Sequence, residues 1–249
     1  MPGTLPNSKF AEVTVNSVFS GTTVTMDSGK IQRLNWDGHH YSFNVRYPSL
    51  TYDAAKAVSG FIAQQRGPLN NFTMSVPEIS IPSGAAKSVM ERIDVDYPGD
   101  RTTALGLNGV TGVNIANNTI YYTLLLPSPT YYDASTHGDW FNIGDYVNFS
   151  NHTKTYQTVS SVNPTYTGTS FASGVYDGTA YVYEGNITVS PNLVVTDTAQ
   201  WVTTGPAELR TYMMFDDVKF TVFMVDPQVS YVASVGNNTS MSLNVREET

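Results

Sequence analysis

The chain has 249 residues, which is enough to bury a sizeable hydrophobic core as one large β domain or two smaller ones. Only 14% of the residues are charged, the net charge is −8, and the 13 basic residues form no Lys/Arg run, which argues against direct binding of nucleic acid. The absence of cysteine excludes disulfides, thiolate nucleophiles and cysteine-ligated metal centres. Because neither a secretory signal nor a run of about 20 apolar residues is found, we expect synthesis in a cytoplasm and no membrane insertion.

The first strands of the chain are predicted from alternating apolar and polar residues. After an extended opening over residues 1–8, the alternation runs from Phe10 to Met26. Ser20-Gly21 and residues 27–29 interrupt it with residue types that favour turns. The segment therefore predicts short strands joined by tight turns.

A further, aromatic strand is predicted after Asp37-Gly38, which is a strong hairpin signal. The alternation there has a strict period of two, which places every second side chain on the same face of a sheet. The residues expected on that face are Tyr41, Phe43, Val45 and Tyr47.

One helix is predicted over residues 51–66, where the spacing of apolar residues changes to that of an amphipathic helix. Thr51 suits the N-terminal cap, Asp53 complements the helix dipole, and Gly67-Pro68 ends the helix. A strand over residues 72–76 follows. The side chains expected to share a face of the helix are Ala54, Val58, Phe61 and Ile62.

The middle of the chain has a different character. Residues 83–100 are polar and punctuated by Gly and Pro, and they predict a short helix or an exposed strand. Short β-like segments separated by turn residues follow, with a spacing typical of a small barrel or sandwich. Clean strands return over residues 208–215, 218–225 and 239–245.

We therefore predict an all-β fold, a β-sandwich or barrel with one amphipathic helix and an inserted second small β module. The first domain combines residues 1–82 with residues 205–249 and carries the helix over 51–66. Residues 83–204 form the inserted β-barrel-like module. A single larger sandwich is the alternative.

The histidines do not predict a catalytic or metal site. His39 and His40 are adjacent, so on a strand they point to opposite faces and cannot easily share one metal ion. We expect one of them to point outward and the other to pack near a turn. His137 and His152 are expected in loops or at strand edges.

Two acidic segments are candidate sites with simpler interpretations. Residues 94–100 hold three aspartates, as an oxygen-rich calcium loop would, but Pro98 lies inside the segment and the distal Glu of such loops is missing. Asp216 and Asp217 could act as paired carboxylates in glycoside hydrolysis, but a two-residue turn explains them better. No catalytic residue, cofactor-binding residue or metal ligand is therefore predicted.

Aromatic residues raise one further possibility. Tyr131, Tyr132, Asp133 and Trp140 would suit a carbohydrate-binding loop if their side chains were exposed. The simpler interpretation places the aromatic side chains in the core or at an interface between proteins.

The segment from Lys30 to Pro77 is more informative than these isolated residues. It contains a basic strand, a Trp, an aromatic strand, a helix that ends in Gln65-Arg66-Gly67, and a Phe-containing strand that ends in Pro. This order resembles the minor tail and distal tail proteins of tailed bacteriophages. Later in the chain, residues 144–147 and the strand after them look like a step in the second β module of some of these proteins.

The resemblance implies a structural, non-enzymatic protein that is located in the virion tail and made in the host cytoplasm. It implies a ring of identical subunits, commonly a homo-hexamer, that joins the distal end of the tail tube to the hub, baseplate or fibre proteins. Neither cofactors, nor direct nucleic acid binding, nor membrane insertion is expected. The alternative function is a receptor- or carbohydrate-binding β module of a virion.

Overall fold

The structure, a computed structural model, describes residues 3–6, 9–96, 109–170, 180–193, 211, 213–215, 218–226, 231–234 and 238–248. The chain divides into two compact units. Unit 1 comprises Met1–Val76 with Lys219–Thr249, and unit 2 comprises Pro77–Val218. Each unit is built on a curled antiparallel sheet, so the prediction of a mainly β fold is confirmed.

The described part of the chain contains strands, four helices and two short 3-10 turns. The strands are β1 (Glu12–Thr25), β2 (Ile31–Arg46), β3 (Phe72–Ser75), β4 (Gly109–Asn114), β5 (Thr119–Leu126), β6 (Tyr146–Phe149), β7 (Thr155–Ser170), β8 (Ala180–Ser190), β9 (Met213–Met214), β10 (Lys219–Met224), β11 (Tyr231–Ser234) and β12 (Asn238–Glu247). The helices are α1 (Tyr52–Gln65), α2 (Pro77–Ser80), α3 (Ala85–Asp96) and α4 (Ala134–His137), and the 3-10 turns are Gly67–Leu69 and Ile115–Asn117. In this set α3 is a second helix of several turns, and it lies within residues 83–100, for which the sequence predicts a short helix or an exposed strand.

The sheet of unit 1 has the strand order β1-β2-β12-β10-β3, and β11 pairs with β12. Two predicted turns, Ser20-Gly21 and Asp37-Gly38, lie inside β1 and β2 instead. The register explains this correction, because β2 advances four residues, from His39 to Asn35, while β1 advances only from Phe19 to Gly21. The extra residues are absorbed by a bulge in a continuous hairpin, and the turn predicted over residues 27–29 is the one that joins the strands.

The core of unit 1 lies on one face of β2. Tyr41, Phe43, Val45 and Tyr47 are all buried, so the predicted face is confirmed. The Phe43 ring packs edge-on against Phe220 of β10, with 4.8 Å between ring centroids. The period of two therefore selects the side chains that this sheet removes from water.

Helix α1 begins and ends close to the predicted positions. The Thr51 Oγ1 accepts a hydrogen bond from the Ala54 N–H at 3.4 Å, and Arg66 takes the left-handed conformation that ends the helix, with φ 56°. The buried face is turned slightly from the predicted one: Val58 and Ile62 are buried, whereas Phe61 is only half-buried. The Phe61 ring nevertheless meets the Phe72 ring edge-on at 5.4 Å, so the helix covers the strand that follows it.

The N-terminal segment pairs with β3 at one edge of the unit 1 sheet. Thr4 forms a parallel bridge with Thr73, in which the Leu5 N–H donates to the Thr73 carbonyl at 2.9 Å and the Thr73 N–H donates to the Gly3 carbonyl at 3.0 Å. Leu5 is buried, and Gly3 lies so close to the Phe61 ring that a Cβ there would approach it to 2.7 Å. Residues 3–5 thus occupy the hydrogen-bonding groups of this edge.

The sheet of unit 2 has the strand order β4-β5-β8-β7-β6-β9. The N–H of Val110 in β4 donates to the carbonyl of Thr211, two residues before β9, at 2.9 Å. The first strand of the sheet thus meets the segment that enters the last strand, so the sheet curls back toward itself. This geometry is barrel-like, as predicted for the inserted module.

Aromatic rings fill the interior of unit 2. Trp140 is completely buried and packs edge-on against Tyr132 at 4.9 Å and Phe215 at 6.3 Å. Helix α3 covers this core with Ala85, Ala86, Val89, Met90 and Ile93. Of the two predictions for residues 83–100, the helix is therefore confirmed over Ala85–Asp96.

One predicted strand belongs to the other unit. Residues 208–215 are predicted from the sequence to lie in the first domain, but Met213 and Met214 form β9 and pair with β6 through Asn148 and Phe149. Met213 and the neighbouring Phe215 are buried in the core of unit 2, which explains the correction. The unit boundaries accordingly fall at residues 76/77 and 218/219, where the sequence predicts 82/83 and 204/205.

Candidate assembly surface

The distal part of the β1–β2 hairpin stands apart from the core of unit 1. Every residue from 16 to 32 is exposed, on both strands and on both faces. We call residues 16–32 the hairpin arm. Its β1 residues pair with β2 from Asn16 opposite Ser42 to Thr25 opposite Ile31, and its turn is closed by hydrogen bonds between Met26 and Lys30 and between Gly29 and Met26. The arm therefore consists of the exposed part of β1, the turn and the first two residues of β2.

The arm carries large apolar side chains. Phe19 is 59% exposed and Ile31 57% exposed. Strand alternation places Phe19 on one face of β1 and Val18 and Val24 on the other, and the exposed Met26 follows in the turn. Single exposed apolar residues are ordinary, but apolar residues on both faces of an uncovered ribbon are typical of an interaction surface.

The outer edge of β1 is open. Among the described strands, β1 pairs with β2 alone, so its other side presents main-chain N–H and C=O groups. The opposite edge of the same sheet is covered by residues 3–5. An open strand of 14 residues is long enough to accept a strand from another chain.

The electrostatics of the arm differ from those of the rest of the chain. It holds one acid, Asp27, and one base, Lys30, so the net charge of −8 is carried entirely by the remaining residues. At the base of the hairpin Arg46 and Glu12 form an exposed ion pair at 3.9 Å. The arm thus has no net charge, although the protein as a whole is acidic.

The adjacent histidines occupy opposite faces of β2 where the hairpin leaves the core. His39 is buried, with its Nε2 2.8 Å from the Ser17 Oγ, and its ring lies between those of Phe19 and Tyr41. His40 is half-buried. His39 is thus the packed member of the pair, at the root of the arm.

The carbohydrate-binding interpretation of residues 131–140 is not compatible with their burial. Tyr131 is 5% exposed and Tyr132 1% exposed, while Trp140 is fully buried. The Tyr132 hydroxyl donates to the Gly138 carbonyl at 3.2 Å, and burial raises its pKa to about 12. These rings form the core of unit 2, so they cannot stack on a sugar.

Some of the acidic residues considered as candidate site residues have structural roles, and the others lie outside the described residues. Asp133 caps the short helix α4, accepting hydrogen bonds from the Ser135 N–H at 2.9 Å and Oγ at 2.8 Å; these bonds hold the pKa of Asp133 below its usual value. Asp96 lies in the last turn of α3, while residues 97–100, Asp216 and Asp217 lie outside the described residues. In the described part of the chain, no three His, Asp or Glu side chains form a group that could hold a metal ion.

A buried carboxylate not singled out by the sequence organises a loop of unit 2. Asp145 accepts hydrogen bonds from the Ser83 N–H and Oγ, both at 2.8 Å, and from the Asn142 N–H at 2.9 Å. These bonds tie the segment before α3 to the turn before β6. Because three donors surround the carboxylate, its role is structural.

His152 lies beside β7, with its Nε2 3.3 Å from the Tyr156 hydroxyl. Burial of the ring lowers the pKa of His152, and Lys154 lowers it further. The unfolded chain therefore binds a proton at this position more readily than the folded chain does. The stability that His152 contributes is present above pH about 6.5 and is lost as the pH falls below that value.

We expect the thermal unfolding midpoint of the wild-type chain to fall between about pH 7 and pH 5 more steeply than that of His152→Gln. Glutamine keeps a polar group near the Tyr156 hydroxyl but does not titrate. Melting curves of both proteins across this range give the comparison. Equal slopes for the two proteins would contradict the prediction.

Among the described residues, no helix combines the length and the apolar character needed to cross a membrane. No protein-family model matches the chain, and no curated protein is significantly similar to it. The sequence contains one signal for the arm, namely apolar residues at both even and odd positions of β1, such as Val18 and Phe19. That signal predicts a strand with no fully polar face, but not that the strand is uncovered.

Proposed function

We propose that this chain is a structural protein of a bacteriophage tail, located in the virion. In this proposal, identical subunits form a ring at the distal end of the tail tube and connect the tube to the hub, the baseplate or the fibres. The work is done by complementary protein surfaces, so the proposal assigns no catalytic residue, cofactor or metal. The sequence resemblance between Lys30 and Pro77 is its starting point.

The observation that carries the proposal is the packing of this segment as one substructure. Its aromatic strand supplies the buried face of β2, its helix is α1, and its Phe-containing strand is β3. The Phe61–Phe72 contact at 5.4 Å joins helix to strand. One helix over a twisted antiparallel sheet leaves the strand edge at β1 available to a neighbour in a ring.

Composition is compatible with this role. Only 14% of the residues are charged, and polar surfaces rich in Tyr, Asn and Thr suit contacts between proteins. The net charge of −8 would also disfavour retention of DNA in the lumen of a tail tube. Both features concern the assembled particle, in which neighbours cover much of each subunit.

The test is the mass of the purified chain in solution across concentration, followed by negative-stain imaging of the oligomer. The expected result is a closed ring of identical subunits around a central opening, commonly with six-fold symmetry. A chain that remains monomeric at high concentration and binds cell-surface glycans would contradict the proposal. That result would favour a receptor-binding module.

A further inference from the structure

We propose that the hairpin arm, residues 16–32, is the surface by which one copy of the chain binds a second copy. This inference deepens the proposed function, because it names the partner and the contact through which subunits of the ring associate. For this inference to hold, association must bury apolar area that is exposed on the arm. The charge of the arm must also favour another copy of the chain as the partner. Both follow from its burial and its charge.

The first argument is the incomplete burial of the arm. A two-stranded hairpin without a covering layer is marginally stable in water. Val24, Met26 and Ile31 near the tip are 47%, 44% and 57% exposed, so they add little to the stability of the single chain. Contact with a partner would remove this area from water and order the ribbon at the same time.

The second argument identifies the partner. Two copies that each carry a net charge of −8 repel one another, and they associate most easily through surfaces that carry none of this charge. The arm has no net charge, because Asp27 is balanced by Lys30. A strongly basic partner would instead be drawn to the acidic remainder of the chain, so the neutral arm selects a second copy.

The third argument concerns the main chain. The open edge of β1 runs the whole length of the arm and continues to Glu12. Residues 3–5 cover the opposite edge of the sheet, at β3. A strand added by a neighbour therefore meets unpaired N–H and C=O groups along β1, and the apolar side chains around that edge supply the burial.

The test compares two double variants that change the net charge equally. Val24→Lys with Ile31→Lys places two charges on the arm. Leu69→Lys with Ile143→Lys places two charges at residues that are 76% and 77% exposed and lie outside it. Self-association is measured by sedimentation velocity on the full chain across concentration. We expect the arm pair to weaken it at least about tenfold, and the control pair to leave it within about twofold of wild type.

A third variant separates association from folding of the arm. Val24→Thr with Ile31→Thr keeps β-branched residues in both strands and adds no charge. We expect this variant to weaken association as well. We expect its circular dichroism spectrum to be the same as that of the wild type. The inference is overturned if the arm variants form oligomers of the same mass as the wild type at the same concentrations. It is also overturned if the wild-type chain stays monomeric at every concentration.

Imaging distinguishes this inference from the proposed function. A closed ring that survives both arm variants would remove the arm from the contact and leave the ring in place. A two-fold dimer that the arm variants abolish would support the arm and contradict the ring. To locate the contacted surface, a Thr23→Cys variant can carry a photo-crosslinker, since the chain has no other cysteine.

Discussion

Replacing Gly84 by alanine is expected to lower the free energy of unfolding by about 3 kcal/mol. Gly84 precedes helix α3, and an added Cβ would lie 2.7 Å from the Asp139 carbonyl oxygen and closer still to that of Trp140. Both obstacles are main-chain atoms, so a change of side-chain rotamer cannot relieve the clash. Either α3 or the loop before Phe141 must move.

The same two carbonyls also fix the start of α3. The Ala85 N–H donates to the Asp139 carbonyl at 2.8 Å, and the Ala86 N–H donates to the Trp140 carbonyl at 3.1 Å. These amides belong to the first turn, where a helix offers them no internal partner. A displacement large enough to admit a methyl group would therefore lengthen both bonds and disturb the packing of Trp140.

Gly60→Ala is the matched control for this substitution. Gly60 lies inside α1 and is exposed, and apart from its chain neighbours and the backbone of its own helix no atom lies within 4 Å of the position that its Cβ would take. Alanine has the higher helix propensity, so we expect stabilisation by about 0.5–1 kcal/mol. Chemical denaturation followed by circular dichroism measures both variants. Equal effects of the two substitutions would show that the close approach at Gly84 is unimportant.

Phe43→Ala is expected to destabilise the protein by about 3–5 kcal/mol. Phe43 is 1% exposed and lies on the buried face of β2. Its ring is 4.8 Å from that of Phe220 and 6.4 Å from that of Tyr41, measured between centroids. Removing it leaves a cavity that regular strand pairing on both sides prevents from collapsing.

Phe19→Ala provides the comparison within the same sheet. Phe19 is 59% exposed, and its ring contacts that of His39 at 4.5 Å between centroids. We expect its removal to cost less than about 1 kcal/mol of stability and to weaken self-association through the arm. Denaturation and sedimentation measurements on both variants separate the two effects. If Phe19→Ala were as destabilising as Phe43→Ala, the arm would have to be part of a covered core.

Features that depend on neighbouring residues along the chain were predictable. The face of β2 follows from a period of two, and the beginning and end of α1 follow from Thr51 and from Gly67-Pro68. In each case the relevant interactions span only a few residues. The predicted β class rests on the same local patterns.

The position of one turn depended on strand pairing instead. Asp37-Gly38 has the composition of a hairpin turn but lies within β2, in the bulge of that strand. The turn residues that close the hairpin lie at 27–29, and the choice between them is made by pairing over the whole length of β1 and β2. Assignment of Met213 to unit 2 likewise requires its partner strand β6, where it pairs with Phe149, 64 residues earlier in the chain (213 − 149).

The burial of large apolar residues shows most directly what the sequence alone determines. Composition and alternation determine that Tyr132, Trp140, Phe19 and Ile31 belong to a β-rich protein, and they do so for all four alike. Tertiary structure decides that the first two fill the interior of unit 2 while the last two stand exposed on the arm. The physical reason is that burial requires a second layer of structure over a strand, and residues distant in sequence supply that layer.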